Sequence, residues 1–139
     1  MRVVLDTNVL VSALLLQASP PSAVIGSRRE DKKFDLLTAP LQIEELSRVT
    51  RYPKIRARIN SALAGRLVNE MRNLAVVVRD LPIIHASPDP YDNYLLSIAV
   101  AGLADFLVTG DKVDLLTLRK YQGVATVSVG QFLTTINRS

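Results

Sequence analysis

The stretch VVLDTNVL near the amino terminus sets Asp6, Thr7 and Asn8 between two apolar runs, Val3–Leu5 and Val9–Leu16. No glycine or proline marks a surface turn there, so Asp6 reads either as a helix cap or as a ligand. A second acid, Asp111, follows the apolar run 106–109 in FLVTGDKVDLL, with Gly110 supplying a tight turn. In TAPLQIEELSRV, Leu41, Ile43, Leu46 and Val49 span one apolar arc at about 100° per residue. Glu45 falls inside that arc and Glu44 points away from it. In SPDPYDNYLLSIAVAGL, Asp89 suits a cap and Pro90 the first helical position. There Asp92 projects among Leu95, Ile98, Ala99, Gly102 and Leu103, whereas Asn93 and Ser97 fall on the polar side. A carboxylate on a buried face is costly unless compensated, and several packed together require raised pKa values or cations between them. Oxygen ligands alone suit a hard ion such as Mg²⁺ or Mn²⁺, which can activate a water and stabilise a phosphate undergoing in-line displacement.

Such a site needs elements that bring distant acids together. Strand signals lie at Val3–Leu5, Phe34–Thr38, Val76–Val78, Phe106–Thr109 and Val124–Val127. Helical patterns lie at Val9–Gln17, Ser22–Arg29, Pro40–Arg51, Ile59–Leu74, Pro90–Leu103 and Gln131–Asn137. Alternating apolar strands and helices predict a three-layer α/β domain, its mainly parallel sheet covered on both faces. In such sheets ligands bind at the carboxyl ends of the strands, where Asp6 and Asp111 stand and where the helices carrying Glu45 and Asp92 begin. No repeat or long linker divides the 139 residues, so a single domain over 1–139 is expected.

Composition narrows the chemistry. There is no cysteine, which removes disulfides and thiolate metal sites, and the single histidine, His85, reads as a loop residue without a chemical role. A hydrophobic content of 48% with 22% charged residues is globular. The run Val9–Leu16 is far shorter than the roughly 20 residues of a membrane span, so a cytoplasmic protein without a membrane partner is expected. A net charge of +4 mildly favours a polyanion. In RVTRYPKIRAR, the residues Arg48, Arg51, Lys54, Arg56 and Arg58 form either a solvated face or a rim that contacts RNA phosphates.

The segments VVLDTNVLVSALL, EELSRV, DPYDNYLLSIAVAGLADFLVTGDKVDLL and GVATVSVGQFL, taken in order, resemble the PIN domain family. The resemblance is specifically to the toxin components of toxin–antitoxin systems and spans nearly the whole chain. It implies a Mg²⁺- or Mn²⁺-dependent endoribonuclease of single-stranded RNA, with Asp6, Glu45, Asp92 and Asp111 as its acidic site. It also implies a cognate antitoxin protein and a homodimer or higher oligomer. Asn8 and Thr109 would orient waters or the ligand carboxylates. Relatives commonly carry paired acids one residue apart near the last site, whereas Lys112 and Val113 separate Asp111 from Asp114 here, leaving Asp114 an auxiliary role.

Plainer roles compete with each assignment. Asp6 could only cap a helix, Asp92 only complement a helix dipole, Glu45 only pair with Arg48 or another arginine, and Asp111 only shape a turn. As a whole the chain could be a non-catalytic PIN-fold module that binds RNA or protein. It could also be a haloacid dehalogenase-like phosphatase with Asp6 as nucleophile, although Asn8 stands where that class carries a second acid.

Overall fold

The computed structural model describes residues 1–110 and 112–138. The chain runs β1 (Arg2–Leu5), α1 (Thr7–Leu15), α2 (Pro20–Asp31), β2 (Asp35–Thr38), α3 (Pro40–Val49), α4 (Pro53–Arg56) and α5 (Ser61–Asn73). It continues through β3 (Val76–Val77), α6 (Pro90–Ala101), β4 (Phe106–Thr109), α7 (Val113–Leu118), β5 (Lys120–Tyr121), β6 (Val124–Ser128) and α8 (Val129–Asn137). The six strands form one sheet in the order β3-β2-β1-β4-β6-β5, in which only β5 is antiparallel to its neighbour. This is the helix-flanked, mainly parallel sheet that the alternating pattern predicts.

Side chains of a strand alternate between faces, and each central strand therefore feeds two cores. Val3, Leu5, Leu36 and Val108 pack with α1, α2, α3, α5 and α8, while Val4, Leu37 and Leu107 pack with α6 and α7. In the first core Phe132 receives Phe34 and Phe106 edge-on, with ring centroids at 5.3 and 5.7 Å. The register Val4↔Leu107 and Val4↔Leu37 sets β1 at the centre, so β1 and β4 end side by side.

Short elements escaped the periodicity. The single-turn helix α4, the six-residue α7 and the two-residue β5 are all too short for a pattern to register. Two helix faces also differ from expectation. On α3 the buried residues are Gln42, Ile43 and Leu46, and Leu41 is 56% exposed, so the packed face is rotated away from Leu41 and leaves Glu45 on its shoulder. On α6, Ser97 is buried and Leu103, assigned to the apolar face, is 76% exposed. Segment 81–88 covers the side of α6 that carries Ser97, which is why that side is not solvent.

The end of α6 explains an inversion. A glycine at a helix terminus usually supplies a left-handed conformation, yet Gly102 has φ −87° and Leu103 takes the left-handed position at φ 56°. Gly102 is needed for space instead. A Cβ there would meet Leu37 Cδ1 at 2.7 Å, Ile98 O at 3.0 Å and Val78 Cγ2 at 3.0 Å. Gly102→Ala is therefore expected to lower unfolding free energy by about 1–3 kcal/mol through overpacking. Leu103→Gly is expected to raise it by roughly 0.5–1 kcal/mol by relieving the left-handed strain. Urea denaturation of both variants checks the pair. The opposite ranking would show that conformation, not space, selects glycine at this helix end.

Candidate metal centre

Strand β1 passes into α1 through a single residue, Asp6, whose backbone extends the ladder by donating N–H to Val108 O at 2.9 Å. Its carboxylate is completely buried. Asp6 Oδ1 accepts from the Asn8 backbone N–H at 3.0 Å, which makes it the cap of α1, and from the Tyr91 hydroxyl at 3.3 Å. Oδ2 accepts from Thr109 Oγ1 at 3.0 Å, across from the neighbouring strand end. The cap role is thus real. A surface cap, however, would be wet, whereas this one lies in the interior with three donors around it.

Helix α6 contributes the second buried acid. Asp92, in its first turn, is 1% exposed. Asp92 Oδ2 accepts from Ser87 Oγ at 3.0 Å, and Oδ1 has no hydrogen-bond partner. Lys112 Nζ lies 3.3 Å from that Oδ1 and 3.3 Å from Asp89 Oδ2, an ion-pair approach without hydrogen-bond geometry toward Asp92. Asp89 caps α6 by accepting from Tyr91 N–H at 2.9 Å. That bond, aided by Lys112, holds its carboxyl below the usual aspartate value. Burial alone would lower the Lys112 pKa, but its hydrogen bond to Asp89 and the nearby charges of Asp92 and Asp6 outweigh that and keep the ammonium above its usual value.

Two tyrosines of α6 complete the frame. The Tyr91 hydroxyl accepts the Thr7 N–H at 3.2 Å, a donor at the start of α1, and the Tyr94 hydroxyl accepts the Gln42 N–H at 2.9 Å, which is shared with Ala39 O at 3.0 Å. Burial first, then the negative charge of Asp6, pushes the Tyr91 hydroxyl far above the usual tyrosine pKa, and burial raises Tyr94 as well. Both stay protonated, and Tyr91 donates to Asp6. The charge of Glu45 adds a smaller push in the same direction on both hydroxyls. Glu45 itself is half-buried and makes no ion pair with Arg48 among the described residues.

Beneath the acids lies a buried amide. Gln42 Oε1 accepts from Thr38 Oγ1 at 2.6 Å, while Nε2 donates to Leu5 O at 2.7 Å and to Thr7 Oγ1 at 3.3 Å. It ties the ends of β1 and β2 to the starts of α1 and α3. Sequence reasoning passed over Gln42, Tyr91 and Tyr94, because a polar residue beside an acidic motif reads as surface until its neighbours are known. The one available signal was positional, since Gln42 sits between Leu41 and Ile43 in the first turn of an amphipathic helix.

The remaining expected residues separate. Asp111 lies outside the described residues. Asn8 is exposed and contributes its backbone N–H rather than its amide, whereas Thr109 does contact Asp6. Asp114 is exposed in the first turn of α7. His85 is exposed. Among the described residues no group of three or more acids or histidines stands at ligand distance from one point. Asp6 and Asp92 nevertheless fit a hard cation in type and burial, and Asp92 Oδ1 offers an unfilled lone pair.

Of the basic run, Arg51 and Arg56 line a groove of about 340 Å³ between α3 and α5, together with Arg72, Ser47, Ser61 and Asn69. Arg51 is braced by its own helix, donating Nε to Ser47 O at 3.0 Å and Nη2 to Ser47 Oγ at 2.9 Å. Arg48, Lys54 and Arg58 are exposed and do not line the groove. No acid lines it either.

A family model described as "PIN domain" matches residues 2–113. A curated protein described as "Uncharacterized protein MJ1680", from Methanocaldococcus jannaschii, is 28% identical over 119 residues, covering 85% of this chain and 75% of its own length. No solved structure matches the chain.

Gln42→Met removes the amide while keeping its length, and leaves the Thr38 hydroxyl and Leu5 carbonyl to find other partners. A loss of about 1–3 kcal/mol in unfolding free energy is expected by chemical denaturation, the cost of unsatisfied buried polar groups. A loss below about 0.5 kcal/mol would mean that these groups are not held by Gln42 in solution.

Proposed function

The chain belongs to the PIN domain family, whose members are generally metal-dependent nucleases, and on that premise we propose that it is a Mg²⁺- or Mn²⁺-dependent endoribonuclease acting on single-stranded RNA. The observation that carries this reading is the pair of buried carboxylates, Asp6 and Asp92, where the carboxyl edge of the sheet meets the starts of α1 and α6. A neutral residue such as asparagine would cap and pack at lower desolvation cost, so two buried carboxylates favour a use for the charge itself. We assign Asp6, Glu45, Asp92 and Asp111 as the ligand set, with Glu45 and Asp111 completing what the buried pair begins.

A bound divalent ion supplies a Lewis acid that activates a water and offsets charge developing on a phosphodiester. The chain's own groups prepare that chemistry. Thr109 and Tyr91 donate to Asp6 and fix both of its oxygens, and Ser87 fixes one oxygen of Asp92. Arg51, Arg56 and Arg72 offer phosphate contacts along α3 and α5, where an RNA backbone could continue beyond the acids. No cysteine or histidine nucleophile accompanies them, in keeping with direct attack by water. An aspartyl-phosphate route would call for a second acid two residues after Asp6, where this chain carries Asn8.

We further propose that the protein is the toxin of a toxin–antitoxin pair, silenced by a cognate partner protein. The support is the resemblance of its ordered motifs to such toxins.

Calorimetric titration with Mn²⁺ is expected to show binding by the wild type and at least a roughly tenfold loss in Asp6→Asn. Asp92→Asn should fold and lose at least about a hundredfold in cleavage of single-stranded RNA. Cleavage that persists in EDTA, or equally in that variant, would falsify the mechanism. Protein that binds RNA but leaves a broad panel uncut with either metal would point to the non-catalytic module. Arg51→Gln combined with Arg56→Gln should weaken RNA binding and flatten the slope of log affinity against log salt by about 1–1.5, at roughly 0.7 per charge removed. An unchanged slope would return these arginines to a solvated face.

A further inference from the structure

Lys112 stands where the buried acids need a cation. Its ammonium is 3.3 Å from Asp92 Oδ1, 3.3 Å from Asp89 Oδ2 and 4.6 Å from the centroid of the Tyr91 ring. Tyr91 is the residue whose hydroxyl donates to Asp6, so Lys112 lies against the wall shared by both buried carboxylates. Among the described residues no other lysine or arginine forms an ion pair with Asp92.

The manner of its approach matters as much as the distance. Asp92 Oδ1 is buried without a hydrogen bond, so Lys112 neutralises that oxygen without saturating it. A buried carboxylate cannot stand without a nearby positive charge or a partner that satisfies it. An ammonium on a flexible four-carbon stem supplies the charge, yet lacks the rigid fork by which arginine would lock the pair. The lysine side chain also keeps 24% of its surface exposed. It precedes α7 without a side-chain capping bond, so moving it out breaks no helix cap.

We propose that Lys112 is a tethered cation that fills the Asp92 side of the centre in the metal-free protein and is displaced when a divalent ion enters. It thereby sets both the stability of the metal-free state and the affinity for the metal. This rests on the metal reading above and adds to it a competitor supplied by the chain itself. Two cations crowded against one carboxylate oxygen repel each other, so removing the tethered one favours the free one.

The test is Mn²⁺ calorimetry on the chelator-stripped full chain, paired with thermal unfolding in chelator and in saturating Mn²⁺. Lys112→Met, an apolar replacement of similar length, is expected to bind Mn²⁺ at least about tenfold more tightly, the scale of one close charge removed. It should melt at a lower temperature than wild type in chelator, because Asp92 is then buried unpaired, and gain more from Mn²⁺. Lys112→Arg should keep the stability of the metal-free protein and not bind more tightly than wild type. Equal or weaker Mn²⁺ binding by Lys112→Met overturns the proposal while leaving the metal reading intact. Should Lys112→Met fail to fold in chelator, Lys112→Gln carries the same comparison, and affinity no tighter than wild type overturns it equally. No Mn²⁺ binding by any of the proteins removes the metal reading and this inference together.

Discussion

A fully buried carboxylate such as Asp6, at the junction of a central strand and its following helix, must be satisfied by donors of the protein. Asp6 meets that requirement with a backbone N–H from its own helix, a hydroxyl from the adjacent strand end and a phenol from α6. Each hydrogen bond to a charged group contributes roughly 1.5–3 kcal/mol, enough together to offset much of the desolvation. The three donors come from different parts of the chain, so satisfying Asp6 fixes the relative positions of β1, β4, α1 and α6.

The tyrosines extend this dependence to α3. Helix first turns carry free N–H groups, and α3 begins with Ala39 and Pro40, which provide no side-chain cap. Tyr94 reinforces that turn from α6 by accepting the Gln42 N–H alongside Ala39 O, and Tyr91 accepts the Thr7 N–H where Asp6 already caps α1. Gln42 then joins both strand ends from below. Helix α6 itself is steadied by Asn93, whose amide accepts from Ala86 and Ser87 N–H and donates to Ser87 O, pinning the segment that supplies Ser87 to Asp92. An edge built this way is stiff, which suits a site that must keep acidic oxygens apart at defined distances.

Charge is partitioned between two regions. Negative charge concentrates at the sheet edge, with Lys112 as its internal counter-ion, and uncompensated positive charge lines the groove between α3 and α5. Helix α3 carries Glu45 at its middle, and Arg51 follows two residues past its end. A polyanionic strand following that helix would meet attraction along the groove, and repulsion at the acids unless a cation stood among them. The same division explains how a chain with a net charge of +4 can keep an acidic centre.

Local pattern was enough to read five of the six strands, the six longer helices, Asp6 at a strand end between two buried runs and Asp92 as an inward-facing acid, because burial of apolar runs imposes periods of 2 and 3.6 on the sequence itself. The order of motifs was enough to read the family. Elements of one or two turns carried no such period. The rotation of α3 was also hidden, since which side of a broad apolar arc packs inward depends on the neighbouring helix. Asn8 drew attention as a side chain and acts through its backbone, while Gln42, Tyr91 and Tyr94 drew none and hold the frame. Gly102 read as part of an apolar face; only the approach of Leu37 and Val78 shows why no side chain fits there. Lys112 belongs to the same class. Its sequence neighbours mark a loop after a strand, and its partner Asp92 is twenty residues away, at a distance that only chain folding sets. Periodicity reports burial along one element, whereas hydrogen bonds and ion pairs between elements depend on where two elements meet, which no single stretch of sequence encodes.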